Sequence, residues 1–359
     1  MNYRYATILA EKALSTKGTE TIPINIQDPI SRLEIGWHPT LNNTAMLAAL
    51  AVGISKIELV DGSDVLHSLN GRENQALCIY DRRVPTMNHG ELVAGADLYA
   101  TFGIDFGRYL YDPMLAFDPA KFRNPQLKIT HDSTLLSANT DTHSIEVFAH
   151  IFDEKVVSPI GFLMAKEHFV WTPSGADVYE YVDLPLDFPI RQLLLRAHRD
   201  AQDPHDIVDY FKLSEDNDKR IPIDCELEAY IRRMKGEWRE LHEVFSAYAG
   251  AEGAINLYVT PTDHQTAISG ITLSNSTIYL LDYTKGGFVQ RAATSCMHVG
   301  TATGYLPHHC IQFPFGIQSD LDDWYDVTRL GNLRARMMSA ASCSTDSIVS
   351  VVLQQLRRY

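Results

Sequence analysis

Cys296, His298, His308, His309 and Cys310 put two thiols and three imidazoles into one short stretch of the chain. Thiolate and imidazole are the soft ligands that zinc takes in structural sites. Such sites space them as Cys-x-x-Cys or His-x-x-x-His, whereas here Cys-x-His is followed by His-His-Cys. The spacing favours loop histidines and buried thiols, so no metal or cofactor is assigned to them.

Carboxylates also come in groups: Asp61 with Asp64, Asp216 with Asp218, and Asp320 with Asp322 and Asp323. None has the Gly and closing Glu of a calcium loop. Paired carboxylates also serve glycoside hydrolysis, but only at a separation that a sequence does not display. Asp and Asn are what tight turns select, and these groups are read as turns. Nucleophile motifs are missing: there is no Gly-x-Ser-x-Gly and no Gly-rich phosphate loop, and His242-Glu243 lacks a second His at 246. Asn275-Ser276-Thr277 fits a glycosylation acceptor but is read as an ordinary turn. No catalytic, cofactor-binding or metal-binding residue is therefore expected.

The bulk composition agrees. A formal charge of −14 argues against a surface that coats nucleic acid. Against that acidic average both ends are mildly basic, with Arg4, Lys12 and Lys17 near the start and Arg357 and Arg358 near the finish. The start "MNYRYATILAEKALSTKG" lacks the apolar stretch of a secretory signal, and "AMLAALAVGI" is too short to span a bilayer. Five widely spaced cysteines read as reduced, mostly buried thiols of a protein folded in a cytoplasm.

The elements that carry these residues are written twice. "TIPINIQDPISRLEIGW" alternates apolar and polar residues around Asp28-Pro29, and "ADVYEYVDLPLDFPIRQLLLRA" does so around Pro189-Ile190. "ISKIELVDGSDVLHSL" and "IVDYFKLSEDNDKRIPI" each read as strand, acidic turn and strand. A helix follows in both halves. The first, "GRENQALCIYDRR", stops before Pro85. The second is expected to run from an Asp224 cap to Gly250, with Leu227, Tyr230, Ile231, Met234, Trp238, Leu241, Val244 and Phe245 on one face.

Next come the Phe-Gly segments "IDFGRYLYDPMLAFD" and "FPFGIQSDLDDWYDV", then "NPQLKIT" and "NLRARMM" as strands. Last come "THSIEVFAHIF" and "TDSIVSVVLQQL". The stretch from Ala249 to Phe315 is nearly three times that from Arg83 to Phe106. Its "INLYVT", "TAISGITLSNSTIYLLDYT" and "GFVQRAA" look like strands of a folded insertion. Two homologous halves of strands with one helix each predict an all-β chain of two consecutive eight-stranded jelly rolls. The expected division is an N-terminal arm at 1–19, jelly roll 1 at 20–155, a connection at 156–175, and jelly roll 2 at 176–359 with an insertion at about 250–312.

This order resembles the double jelly-roll major capsid proteins of tailless icosahedral DNA viruses, the lineage of internal-membrane phages and adenovirus-like viruses. "DFPIRQLLLRAHRD" resembles the strand opening their second roll, "IVDYFKLSEDNDKRIPID" the hairpin after it, and "FPFGIQSDLDDW" the approach to the last strands. The resemblance implies a structural protein of the virion, made in the host cytoplasm, with no catalytic residue and no cofactor. It implies a homotrimer that forms a pseudo-hexameric capsomer and contacts neighbouring capsomers and minor capsid proteins. It also implies termini on the inner side, where their basic residues face an internal membrane, and no sequence-specific nucleic-acid contact. The insertion would be an outward tower. The alternatives are a carbohydrate-binding or carbohydrate-acting protein on paired jelly rolls, and a metal-dependent cupin, for which the required His-x-His is not found.

Overall fold

The computed structural model describes residues 2–41, 47–86, 88–92, 97–136, 140–249, 253–263, 266–272, 277–283, 285–293 and 296–359. The first half contains β1 (Tyr3–Ala13), β2 (Lys17–Pro23), β3 (Ile30–Leu41), β4 (Ile54–Asp61), β5 (Asp64–Leu69), α1 (Gly71–Arg82), β6 (Asn88–Leu92), β7 (Leu98–Asp105), β8 (Pro125–Asp132) and β9 (Thr140–Phe152). The second opens with β10 (Gly161–Trp171), β11 (Tyr179–Asp183), β12 (Ile190–His198), α2 (Pro204–Ile207), β13 (Val208–Glu215), β14 (Arg220–Glu226) and α3 (Leu227–Met234). Inserted strands follow as β15 (Leu241–Ala249), β16 (Gly253–Tyr258), β17 (Ala267–Thr272), β18 (Thr277–Tyr283), β19 (Phe288–Ala293) and β20 (Cys296–Gly304). The half closes with β21 (Cys310–Pro314), β22 (Leu333–Ser339) and β23 (Ile348–Arg358).

Strand order is the same in both halves. One layer is β1-β9-β3-β7 in the first and β10-β23-β12-β21 in the second; the other is β2-β8-β4-β5 and β11-β22-β13-β14. Two facing layers with this crossing connectivity are a jelly roll, and the chain has two.

The likeness extends to irregularities. Register shifts between Ile30 and Arg32 on β9, and between Ile190 and Gln192 on β23. It shifts between Thr7 and Leu9 as between Glu167 and Phe169. It shifts again between Ile54 and Lys56 as between Val208 and Tyr210. A bulge bends a strand and re-aims its side chains, so matched bulges give the two sandwiches the same curvature.

Each roll buries its own apolar core. Leu33, Ile35, Trp37, Phe102, Phe106 and Val147 belong to the first, and Leu193, Leu195, Phe211, Phe313, Leu333 and Val351 to the second. The rolls are also joined edge to edge. β5 meets β10 through a parallel bridge at Ser68 and Lys166, so one layer of roll 1 and one of roll 2 form a continuous eight-stranded sheet.

Several expectations change. The stretch expected as an N-terminal arm carries β1, and the expected connection carries β10; each pairs with the last strand of its roll. β1 is an edge strand that leaves most side chains in water, so it has little apolar alternation to read. β10 is buried along Gly161–Ala165, and a strand buried on both faces does not alternate either. The second helix stops at Met234. Asp224 lies in β14 and Glu226 is the N-cap, while Gly250 lies outside the described residues. Leu241, Val244 and Phe245 are in β15, which pairs with β20 and β6, so ladder hydrogen bonds override a short helical period.

The inserted strands therefore begin at Leu241. They also do not stand alone: β15, β20, β17 and β18 continue the first roll's sheet through β6, and Leu257 joins that roll's core.

Candidate assembly surfaces

The strand directions sort the loops between two ends. Tyr3 lies opposite Phe152, Ile30 opposite Ile151, and Gly161 opposite Arg358, so these residues share one end of the rolls. There the amide of Asp153 donates to the carbonyl of Asn2 at 2.9 Å, and that of Tyr359 to Ile160 at 3.2 Å. Both chain ends and both Phe-Gly loops lie at this end. The insertion leaves from the opposite end, where β7 starts at Leu98 and β21 at Cys310.

At the chain-end side the loops expose Tyr109, Met114, Ile160 and Ile317. The acidic groups are caps and turns, as their composition suggested. Asp61 accepts from the amide of Asn124 at 2.7 Å, and Asp216 accepts from that of Gly331 at 2.8 Å. Asp64 pairs with Arg357 and Asp218 with Lys212. Asp320 accepts from the amide of Asp322, and Asp323 from that of Ile317.

The junction of the rolls is built around α1. An Asn70–Glu73 capping box starts this helix, and its far end brings Asp81 to roll 2. Asp81 pairs with Arg191 at 2.6 Å and accepts from the side-chain amides of Gln192 at 2.8 Å and Gln354 at 2.6 Å. Nearer its start, Glu73 faces Arg196 at 3.4 Å and accepts from Ser350. Burial, reinforced by Glu73, pushes Glu167 up to about 8. Leu69, Leu77 and Tyr80 seal the surface against Ala165, Leu194 and Val352. Buried charges that are paired and also hydrogen-bonded fix one register between the rolls.

Tertiary structure rearranges the sulfur–imidazole cluster. His308, His309 and Cys310 are buried at the root of the insertion, and they are joined by His198, which the sequence did not single out. The Arg72 guanidinium can only donate, so His198 accepts at Nε2 and carries its proton on Nδ1, 3.2 Å from Nδ1 of His309. His308 lies 2.8 Å from the Gln75 side-chain oxygen. Burial and the cations Arg72 and Arg196 hold His308 down at about 3, and burial pushes the Cys310 thiol up. Neutral imidazoles tied to amide and guanidinium groups describe a polar core. The side chains of Cys296 and His298 lie outside the described residues. Among the described residues, the three-group set that metal geometry picks out is Asp203, His205 and Asp206.

A cavity of about 340 Å³ lies between the rolls, lined by Tyr80, Asp81, Arg191, Glu237, Trp238 and Gln312 among others. Of the cavity's two carboxylates, Asp81 is already committed to Arg191, Gln192 and Gln354, which leaves Glu237 alone and argues against a pair of free acids for sugar hydrolysis there.

No protein-family model matches the chain, and no curated protein matches it in sequence. Its fold matches solved structures over nearly the whole length. The STIV MCP, from Sulfolobus Turreted Icosahedral Virus, aligns with a TM-score of 0.63 at 10% identity, covering 98% of this chain and 96% of that one. The major capsid protein from bacteriophage PM2 aligns at 0.55 and 9% identity, covering 99% and 98%. PBCV-1 VP54, fitted into a reconstruction of the virophage Sputnik, aligns at 0.59 and 10% identity, covering 99% and 94%. At these identities the likeness is one of fold: the double jelly roll.

Proposed function

We propose that the chain is a major capsid protein whose homotrimers form pseudo-hexameric capsomers of an icosahedral viral shell. The observation that carries this reading is the duplicated roll. Two wedges with one strand order and matched bulges, locked side by side by Asp81 and Arg191, form two of the six units of a tile. The fold likeness to capsid proteins over the whole chain supports it.

In this reading the rolls span 3–152 and 161–358 and stand upright in the shell. The end that gathers both chain ends faces inward, and the end that bears the insertion faces the medium. Arg4, Arg357 and Arg358 then lie on the inner side, each beside a carboxylate (Asp28 and Asp153, Asp64, and Asp322 respectively). Lys12 and Lys17, expected there too, lie towards the opposite end of β1 and β2. The role is structural and resides in the virion, without catalytic residues, cofactor or sequence-specific nucleic-acid contact, and with neighbouring capsomers and minor capsid proteins as partners.

Sedimentation of the purified chain tests the reading. A trimer that persists at micromolar concentration and dissociates only in denaturant is expected, because obligate interfaces bury on the order of 2,000 Å² or more. A stable monomer across that range would overturn it.

A further inference from the structure

Within one chain the junction has two sides. Roll 1 supplies the β5 edge and α1; roll 2 supplies β10 and the outer face of β10, β23 and β12. The shared registers identify what occupies the corresponding places in the other roll. β14 and α3 correspond to β5 and α1, and β1 corresponds to β10. Both are left open: β14 ends the four-stranded sheet and β1 ends the nine-stranded sheet.

Position by position, the face that α1 covers on roll 2 has an uncovered equivalent. Through the pairings with β9 and β23, Ala165, Leu194 and Val352 correspond to Tyr5, Glu34 and Phe148. The first set is sealed under α1. In the second, Tyr5 is 54% exposed and stacks on Phe148 at 5.0 Å, and Tyr3 beside them is 44% exposed. Stacked aromatic rings in water beside an unpaired strand edge mark a surface made to be covered. Charge does not carry the match: Arg4 on β1 is already paired with Asp28 and Asp153, and Lys12 with Glu20, so the open edges and the exposed aromatic face do.

We propose that a second copy of this chain lays its β14 edge and α3 against β1 and the Tyr5–Phe148 face of the first, repeating between copies the junction that joins the rolls within one. The bridge between Ser68 and Lys166 then recurs as Asp224 of one copy beside Ala6 of the next, since the registers make these equivalent. This rests on the capsomer reading above and adds which surfaces meet. Internal and external junctions alternate, so a ring of six rolls closes with three copies.

The test is a cysteine pair, Ala6→Cys with Asp224→Cys, in the full chain with Cys225→Ser. Neighbouring strands lie about 4.8 Å apart, within the Cα separations a disulfide accepts. After oxidation, the double variant is expected to run on a non-reducing gel as covalent multimers up to three chains, and each single variant as a monomer. A double variant that sediments as a trimer but gives no covalent multimers, or single variants that give the same multimers, would overturn this junction and leave the capsomer reading standing. An unassociated native chain would overturn both. Independently, Tyr5→Asp, at an exposed position, is expected to raise the dissociation constant at least about tenfold, as loss of an interface aromatic does, with an unchanged circular dichroism spectrum. Unchanged association of that variant would refute the docking face.

Discussion

Phe106 and Phe315 hold the same place in the two rolls. The amide of Phe106 donates to the carbonyl of Ser31 at 3.2 Å, and that of Phe315 to the carbonyl of Arg191 at 3.0 Å. Ser31 and Arg191 are the residues at which β3 and β12 slip register against their neighbours. Each phenylalanine thus pins the loop after its strand to a bulge, and the glycine that follows lets the loop fold back tightly. A Cβ at Gly107 would lie 2.7 Å from the carbonyl oxygen of Leu115, and one at Gly316 only 2.0 Å from that of Asp323.

Gly316→Ala is therefore expected to destabilise the chain by more than about 2 kcal/mol. Its φ of +66° alone costs an L-residue roughly 1–2 kcal/mol, and backbone must move besides. Gly62→Ala, with a φ of +62° but nothing within 4 Å, isolates the backbone cost. Denaturant midpoints of the two variants should differ, with Gly316→Ala the lower.

Asp81→Leu leaves the Arg191 guanidinium buried between the rolls without its anion. The expected loss is about 3–5 kcal/mol, because the remaining charge is uncompensated. The double variant Asp81→Leu with Arg191→Met should regain most of it. Thermal unfolding of the three proteins reads this directly; equal losses in the single and double variants would refute the pairing.

Acid should weaken the chain through His308. Its folded pKa of about 3 lies below the ordinary 6.5, so the unfolded chain binds the extra proton between those values. The stability is fully present above about pH 6.5 and is lost as pH falls towards 3, by up to about 1.4 kcal/mol per pH unit. Glu243, pushed up to about 7 by burial, acts oppositely: its contribution is lost as pH rises from about 4.5 to 7. His308→Gln keeps a partner for Gln75, and subtracting its stability profile from the native one should isolate the histidine slope. A pH-independent difference would count against it.

The repeat was legible because jelly-roll strands keep turn residues where the backbone demands them. Asp61 and Asp216 were read as turn formers, and they cap the amides before the next strand at Asn124 and Gly331. Pro29 and Pro189 each precede a bulged strand, and their carbonyls accept from the amides of Phe152 and Leu356 at 2.9 Å. Less legible were β1, whose edge position leaves it little apolar alternation, and β15, whose residues mimic a helical period. The histidine cluster was half seen: His308, His309 and Cys310 are adjacent in sequence, while His198 reaches them from a strand more than a hundred residues away.

By itself the sequence determined what local chemistry can specify: two copies of one strand order, the hairpin turns, the first helix, and the glycines after each phenylalanine. Only the tertiary structure decided how the copies meet. Asp81 with Arg191, β5 with β10, and β6 with β15 are pairings between distant segments. Their residues carry no shared period, and such contacts form only when a folded surface desolvates both partners together.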